Sequence, residues 1–293
     1  MTIETKSPVT IDKELCVLCG ECVNICLGKV LESGETEIIV AKPLWCNECG
    51  HCVGVCPVDA IMVGKEEPLP LNRKDLIVNP EQLQYLIRSR RSTRHYLVKP
   101  VPKEAIEQII DAGRYAPTGG NMQNVSVTVV TEAKTMTLIK DKAVESLERR
   151  VSQWESMAEK HIKDGTPIPD EHKVRVEGRD RYRNLLNLYQ HQKRDVILHN
   201  APVFIVLHGE PSGVTAKDNA DLMAMNMMLM AESMGLGTCL IGIVTAATVE
   251  DGALRKLMGV PEGHQVFTDF VLGYPSAKYS KAPGRNPMKV TWI

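Results

Sequence analysis

The chain has 293 residues, 43% of them hydrophobic, and a formal net charge of -1. That is enough apolar material to bury a sizeable core in one large or two modest domains, and the balanced charge leaves no basic footprint for nucleic acid. The longest apolar stretch, Leu222–Ala231, is interrupted by Asn226 and too short to span a bilayer, and the first residues show no secretory leader; the expectation is a cytoplasmic protein without membrane or nucleic-acid partners.

Two β-branched runs, V-T-I-D at 9–12 and E-I-I-V at 37–40, predict short strands. Around them the spacing C-x2-C-x2-C-x3-C occurs twice, as Cys16, Cys19, Cys22 and Cys26 and then Cys46, Cys49, Cys52 and Cys56, eight of the nine cysteines. Thiolates three residues apart can bend round one compact iron-sulfur cluster. Disulfides suit small secreted chains and structural zinc usually takes two separated pairs, so both stand as lesser alternatives. The double run resembles the bacterial-type ferredoxin domain. That resemblance implies two 4Fe-4S clusters with crossed ligands: Cys16, Cys19, Cys22 and Cys56 for one, Cys46, Cys49, Cys52 and Cys26 for the other. Pro57 follows Cys56 as that pattern asks, whereas Leu27 replaces the equivalent proline. Trp45 is expected to shield a cluster or pack between domains, and His51 to tune its surroundings. Metal ligation supplies the stability that so small a core lacks.

Residues 64–75, with two prolines among mixed charges, predict a semi-rigid linker, with domains at 1–68 and 69–293. Asn79-Pro80-Glu81 then opens a helix to about Ser89, and Pro102 opens another ending near Gly113. A loop over Tyr115–Asn121 leads to a strand with Val125, Val127 and Val129 in alternation. Residues 132–200 are charged and helical with a break at 164–170, reading either as a solvated surface hairpin or as a cover over a pocket. Pro202–His208 is a buried strand by its apolar run. The methionine-rich segment 218–234 is apolar nearly all round and predicts a central helix buried on every side, by the chain's own core or by a dimer interface, ending at Gly235. Residues 235–244 are read as leading into a loop, followed by a helix near 249–258 and a last strand at 266–272. The class is α+β with a modest central sheet packed with helices.

Four stretches of this second part, R-R-S-T-R at 90–94, P-T-G-G-N-M-Q at 117–123, G-L-G-T-C-L-I-G at 235–242 and L-G-Y-P with P-G-R at 272–285, resemble in order the nitroreductase family of FMN enzymes. The resemblance implies that Arg90, Arg91, Ser92 and Arg94 hold the FMN phosphate, the ribityl chain and part of the ring. It implies that Pro117, Thr118, Gly119 and Asn121 reach across a homodimer interface, that Leu240, Ile241, Gly242 and Ile243 lie against the ring, and that Lys281 and Arg285 close on the phosphate. After Gln123 the family commonly shows Pro-Trp; here Asn124 and Val125 stand instead. Cys239 reads as a buried small hydrophobe with no adjacent cation, and the eight histidines form no metal-ligand spacing. A Rossmann site is not supported, because Leu240 takes the third glycine's place.

Clusters that pass electrons singly, joined to a flavin that collects two, imply a reductase for a small acceptor: a nitroaromatic, a quinone or an activated alkene. A ferredoxin or another electron donor is the expected source of electrons. Reductive dehalogenation and flavin breakdown are further family chemistries. The rival reading is an electron-transfer component without its own small-molecule substrate, docking a protein partner on exposed Glu14, Glu21, Glu32 and Glu48.

Overall fold

A computed structural model of the chain describes residues 7–65, 67–71 and 78–293. It divides into two compact units, one of Met1–Val78 with Gly119–Met122, the other of Asn79–Thr118 with Gln123–Ile293. The predicted linker falls partly on Glu66 and residues 72–77, which lie outside the described residues. The expected domain boundary was near Leu69; the compact units part after Val78.

The first unit is a tandem repeat with a constant offset of 30 residues. Strands β1 (Val9–Ile11) and β4 (Ile61–Val63) pair antiparallel, as do β2 (Leu31–Ser33) and β3 (Ile38–Val40). Two short helices, α1 (Glu21–Ile25) and α2 (His51–Gly54), each start after a left-handed glycine, Gly20 (φ 76°) and Gly50 (φ 72°). The repeat extends to strained backbone, since Leu18 and Glu48, and Lys29 and Asp59, share positive φ in matching pairs. The turn after Cys26 therefore matches the turn after Cys56 without the proline, and Leu27 is simply exposed. Val9, Val30, Leu31, Ile38 and Ile61 make a small core against which six of the cysteines pack, Cys19 and Cys49 being exposed.

The second unit is a four-stranded antiparallel sheet with helices on both faces. Its elements are α3 (Pro80–Ser89), α4 (Lys103–Arg114), β5 (Ser126–Val130), α5 (Ala133–Asp164), α6 (Asp170–Glu177), α7 (Arg179–Gln192) and β6 (Val203–Gly209). After these come α8 (Ala216–Ser233), β7 (Gly237–Leu240), α9 (Gly242–Thr248), α10 (Gly252–Leu257) and β8 (Gln265–Gly273), and the strand order is β5-β6-β8-β7. All of β6 is buried because both faces are covered: Val203, Ile205 and Leu207 meet α4 and α8, while Phe204 and Val206 meet α5 and α9. In β8 a bulge opposite Leu207 and His208 shifts the register. Helix α3 begins with the full capping box, Asn79 and Gln82 each accepting the other's backbone N–H.

Three expectations change. The segment 235–244 does not lead into a loop: β7 forms the sheet edge and α9 follows at once. Helix α8 is not buried on every side within the chain, since Met223, Met227 and Met228 face the core while Leu222 is exposed and Met225 and Met230 are half-buried. Helix α5 is no surface element either; Ile139, Leu147, Val151 and Ala158 are in the core.

Candidate functional site

In the first unit the eight thiols wall two cavities in crossed sets of four. One is lined by Cys16, Cys19, Cys22 and Cys56 with Ile11, Ile38 and Ile61; the other by Cys46, Cys49, Cys52 and Cys26 with Trp45 and His51. Among the described residues no three His, Cys, Asp or Glu side chains converge as they would on a single ion. Sulfurs spread round a cavity suit a polynuclear cluster. The backbone N–H of Val30 donates to Cys26 Sγ and that of Ala60 to Cys56 Sγ, both at 3.3 Å. Burial raises the thiols of Cys22 and Cys46 and pushes Cys52 up to about 11. Such sulfurs become thiolates when a cation offsets that desolvation. Trp45, 66% exposed, lines the outer wall of the second cavity with Lys42 Nζ 4.9 Å from its ring centre. Asn121 also belongs to this unit, its Nδ2 donating to the carbonyls of Asn47 (3.0 Å) and Glu48 (2.9 Å).

The second unit has a cavity of about 880 Å³ whose floor is Cys239 to Ile243 and whose wall includes Arg94. The fold brings these together through backbone pairing: Ser92 bridges Thr238 in parallel, Thr93 N–H donates to Thr238 O, and Ser276 N–H donates to His95 O. Tyr96 fixes the same segment by donating its hydroxyl to Thr93 O at 2.8 Å. The arginine-rich stretch is thereby held along the edge strand. Below the floor, Ile241 N–H donates to Asp269 O, and the fully buried Asp269 carboxyl accepts from Thr245 Oγ1 at 2.8 Å. Burial pushes that carboxyl up to about 8, so it is largely protonated at neutral pH.

Cys239 corrects an expectation. It is buried as predicted, but cations do adjoin it: Arg94 and Arg90 pull its pKa down, as does a hydrogen bond from Ser92, while burial outweighs them and leaves it raised. The guanidiniums come from a segment far earlier in the chain, invisible beside Cys239 in sequence.

The other expected residues are dispersed. Arg91 and Lys281 line a separate cavity of about 320 Å³ with Arg88, Tyr279 and Glu232. Arg91 donates to the carbonyls of Arg90 and Arg88, both at 2.9 Å. Arg285 is exposed in the extended C-terminal stretch. Pro117 and Thr118 belong to the second unit and Gly119 and Asn121 to the first, with Thr118 Oγ1 accepting from Gln123 N–H. A further cavity of about 800 Å³ beside α9 and α10, lined by Arg255, Glu262 and His264, holds none of the expected site residues.

Sequence reasoning missed the part of the large cavity's lining that the helical segment supplies. Arg150 and Trp154 of α5, Arg175 of α6, and Arg181 and Tyr182 of α7 form it, so the helical segment does cover a pocket. The Trp154 and Tyr182 rings pack 5.3 Å apart, with the Arg150 guanidinium 5.8 Å from the Trp154 ring centre. Asp195 is the acidic residue of the lining, and its oxygens accept from the backbone N–H groups of Ile197 (3.0 Å), Leu198 (2.9 Å) and Asn200 (2.9 Å), with Lys140 at 3.3 Å. The loop it anchors puts His199 and Asn200 in left-handed backbone at the rim. Burial, reinforced by Arg94, His95 and Arg194, lowers His199 to about 4.

The family model described as the nitroreductase family matches residues 87–274, and a 4Fe-4S dicluster domain model matches residues 8–58. No curated protein matches the sequence. Among solved structures, a nitroreductase with bound FMN from Bacteroides fragilis is similar at 22% identity and TM-score 0.55, covering 74% of this chain and 100% of its own. Another, with bound FMN, from Desulfitobacterium hafniense has 20% identity and TM-score 0.53, covering 72% and 97%. An iodotyrosine deiodinase bound to FMN and 3-iodo-L-tyrosine has 19% identity and TM-score 0.51, covering 72% and 98%. At these identities the likeness is one of fold.

Proposed function

The chain belongs to the nitroreductase family of oxidoreductases and carries a 4Fe-4S dicluster domain; from that premise we propose that it is an FMN-dependent reductase of a small acceptor, fed by two 4Fe-4S clusters. The acceptor is a nitroaromatic, a quinone or an activated alkene. The observation that carries this reading is the pairing, in one chain, of two cavities each walled by four thiols with a third that gathers Arg94 and the 239–243 floor. The third cavity lies in the size range of cofactor sites, about 300–1,000 Å³.

FMN, when bound, supplies the conversion between single electrons and a hydride equivalent. The chain's own residues place it. Arg94, with Arg90 and Ser92 on the same segment, holds phosphate and ribityl oxygens, because guanidiniums match phosphate geometry, while Arg91 contributes charge from the separate cavity it lines with Lys281. Lys281 and Arg285 add positive charge. The backbone of Leu240 to Ile243 lies against the ring, where an N–H donor stabilises developing negative charge. Helices α5 and α7 limit water and select what stacks on the flavin. In a homodimer, Pro117, Thr118, Gly119 and Asn121 complete the partner's site, and the exposed side of α8 is covered. Flavin-bound structures of the same fold support the choice of cofactor.

The test is rapid mixing of anaerobic, fully loaded protein with reduced ferredoxin, NADH or NADPH, followed by acceptor. The expected order is cluster bleaching before flavin bleaching, then flavin reoxidation by a nitroaromatic or quinone. A flavin that stays reduced with all such acceptors, yet reoxidises with a partner redox protein, overturns the reading and makes the chain an electron carrier.

A further inference from the structure

The large cavity is lined by arginines in three places; one is Arg194, which follows α7 and precedes Asp195 in the chain. Arg94 belongs to the segment given to the flavin phosphate. Arg150, Arg175 and Arg181 come from α5, α6 and α7, on separate elements of the cover. Among the described residues none of the guanidiniums of Arg94, Arg150, Arg175 and Arg181 forms an ion pair. Their neighbour Arg183 shows the alternative, since its guanidinium is taken up by Glu155 and Glu148. Negative charge within the cavity is already spent: Asp195 is held by three backbone N–H groups and Lys140. His199, with its lowered pKa, is neutral near pH 7 and adds no further charge.

Exposed arginines ordinarily form a solvated face. Two features separate these from that case. They line one concave space rather than a convex surface, and one of them is pre-oriented: Arg150 lies 5.8 Å from the Trp154 ring centre, half-buried, leaving its N–H edge available. The Trp154 and Tyr182 rings beside it supply a flat apolar wall. We propose that the acceptor is a small ring-bearing anion, a carboxylate or its equivalent on a conjugated ring, whose charge is held by Arg150, Arg175 and Arg181. This rests on the flavin reading, because the ring must lie on the flavin while its charge points to the cover.

The experiment uses full-length, FMN-loaded oxidised protein and two probes of equal shape, 4-nitrobenzoate and 4-nitrobenzamide, with binding followed through the flavin absorbance. Nitrobenzoate should bind about tenfold more tightly, the scale of one charge-assisted hydrogen-bonded pair. Added salt should weaken nitrobenzoate and leave the amide unchanged. Arg150→Gln, Arg175→Gln and Arg181→Gln combined should erase most of the preference at unchanged flavin content. Because Arg150 packs on Trp154, the double variant R175Q/R181Q, in two exposed residues, is the safeguard and should lower the preference about threefold. Equal binding of the two probes, or a preference intact in the double variant, overturns the proposal. Failure to retain FMN, seen in flavin content before any probe is added, overturns the flavin reading instead.

Discussion

Gly237 and Gly273 stand directly opposite each other where β7 meets β8, and both are glycine because other chain segments press on them from outside the sheet. A Cβ on Gly237 would lie 2.4 Å from Thr93 Oγ1 and 2.9 Å from Pro275 Cγ; one on Gly273 would lie 2.6 Å from Pro202 Cδ. This pair lets residues 92–96 lie along the edge strand and so sets where Arg94 enters the cavity. Gly237→Ala should therefore push Thr93 away. Overpacking of this kind costs about 1–3 kcal/mol, and the displaced segment should retain FMN less well. Thermal melting and flavin content after gel filtration check both. A variant that melts and retains flavin like wild type shows that the close approach does not position Arg94.

Asp195 is expected to set the stability of the cavity rim. Its carboxylate, 8% exposed, accepts from three backbone N–H groups and holds His199 and Asn200 in left-handed conformations. Asp195→Ala leaves those donors without an acceptor, a loss of about 3 kcal/mol or more, or a fall in Tm of roughly 6 °C or more. Asp195→Asn keeps one acceptor oxygen and should lose less. Equal effects of the two substitutions would mean that charge toward Lys140, rather than backbone anchoring, is what matters.

Much of this was legible in sequence, and the parts that were not share a physical cause. The cysteine spacing is a local pattern, so the double run and its 30-residue repeat could be read from residue types alone. The start of α3 was equally local, because Asn79 and Gln82 satisfy each other's backbone. Strand β7 was missed because four residues opening on Gly237 carry little periodicity; its strand character comes from Phe270 and Leu272 across the ladder. The arginines of the cover looked like a solvated helical face. Only the fold, which sets Arg150, Arg175 and Arg181 round the same space as Arg94, distinguishes them from surface charge. The cations beside Cys239 were missed for the same reason.

Asp269 should make stability pH-dependent in a definite direction. Its ordinary value of 3.8 rises to about 8 in the fold, so between these limits the folded state holds a proton that the unfolded chain has lost. Stability from this group is complete below pH 4, falls as pH rises toward 8, and is flat beyond. Asp269→Asn retains an acceptor for Thr245 without the titration. Urea midpoints at pH 5 and pH 8 should thus converge or cross, the variant gaining on wild type at the higher pH. A gap independent of pH between the two proteins would show that the carboxyl is not held protonated.

The crossed thiol sets yield a test that counts clusters instead of inferring them. Cys16 and Cys56 line one cavity, whereas Cys26 lines the other. The double variants C16S/C56S and C16S/C26S each remove two ligands. With crossed ligands, the first strikes a single cluster and should keep about half the iron and acid-labile sulfide, while the second strikes both and should keep almost none. If each run instead held its own cluster, the results would exchange, because Cys16 and Cys26 share a run and Cys16 and Cys56 do not. Global loss of the small unit would leave both variants equally empty; the single variant Cys56→Ser, compared with Cys26→Ser by electron paramagnetic resonance after reduction, then shows which signal each thiol supports. Residual cluster in C16S/C26S at the level of C16S/C56S is incompatible with the crossed arrangement.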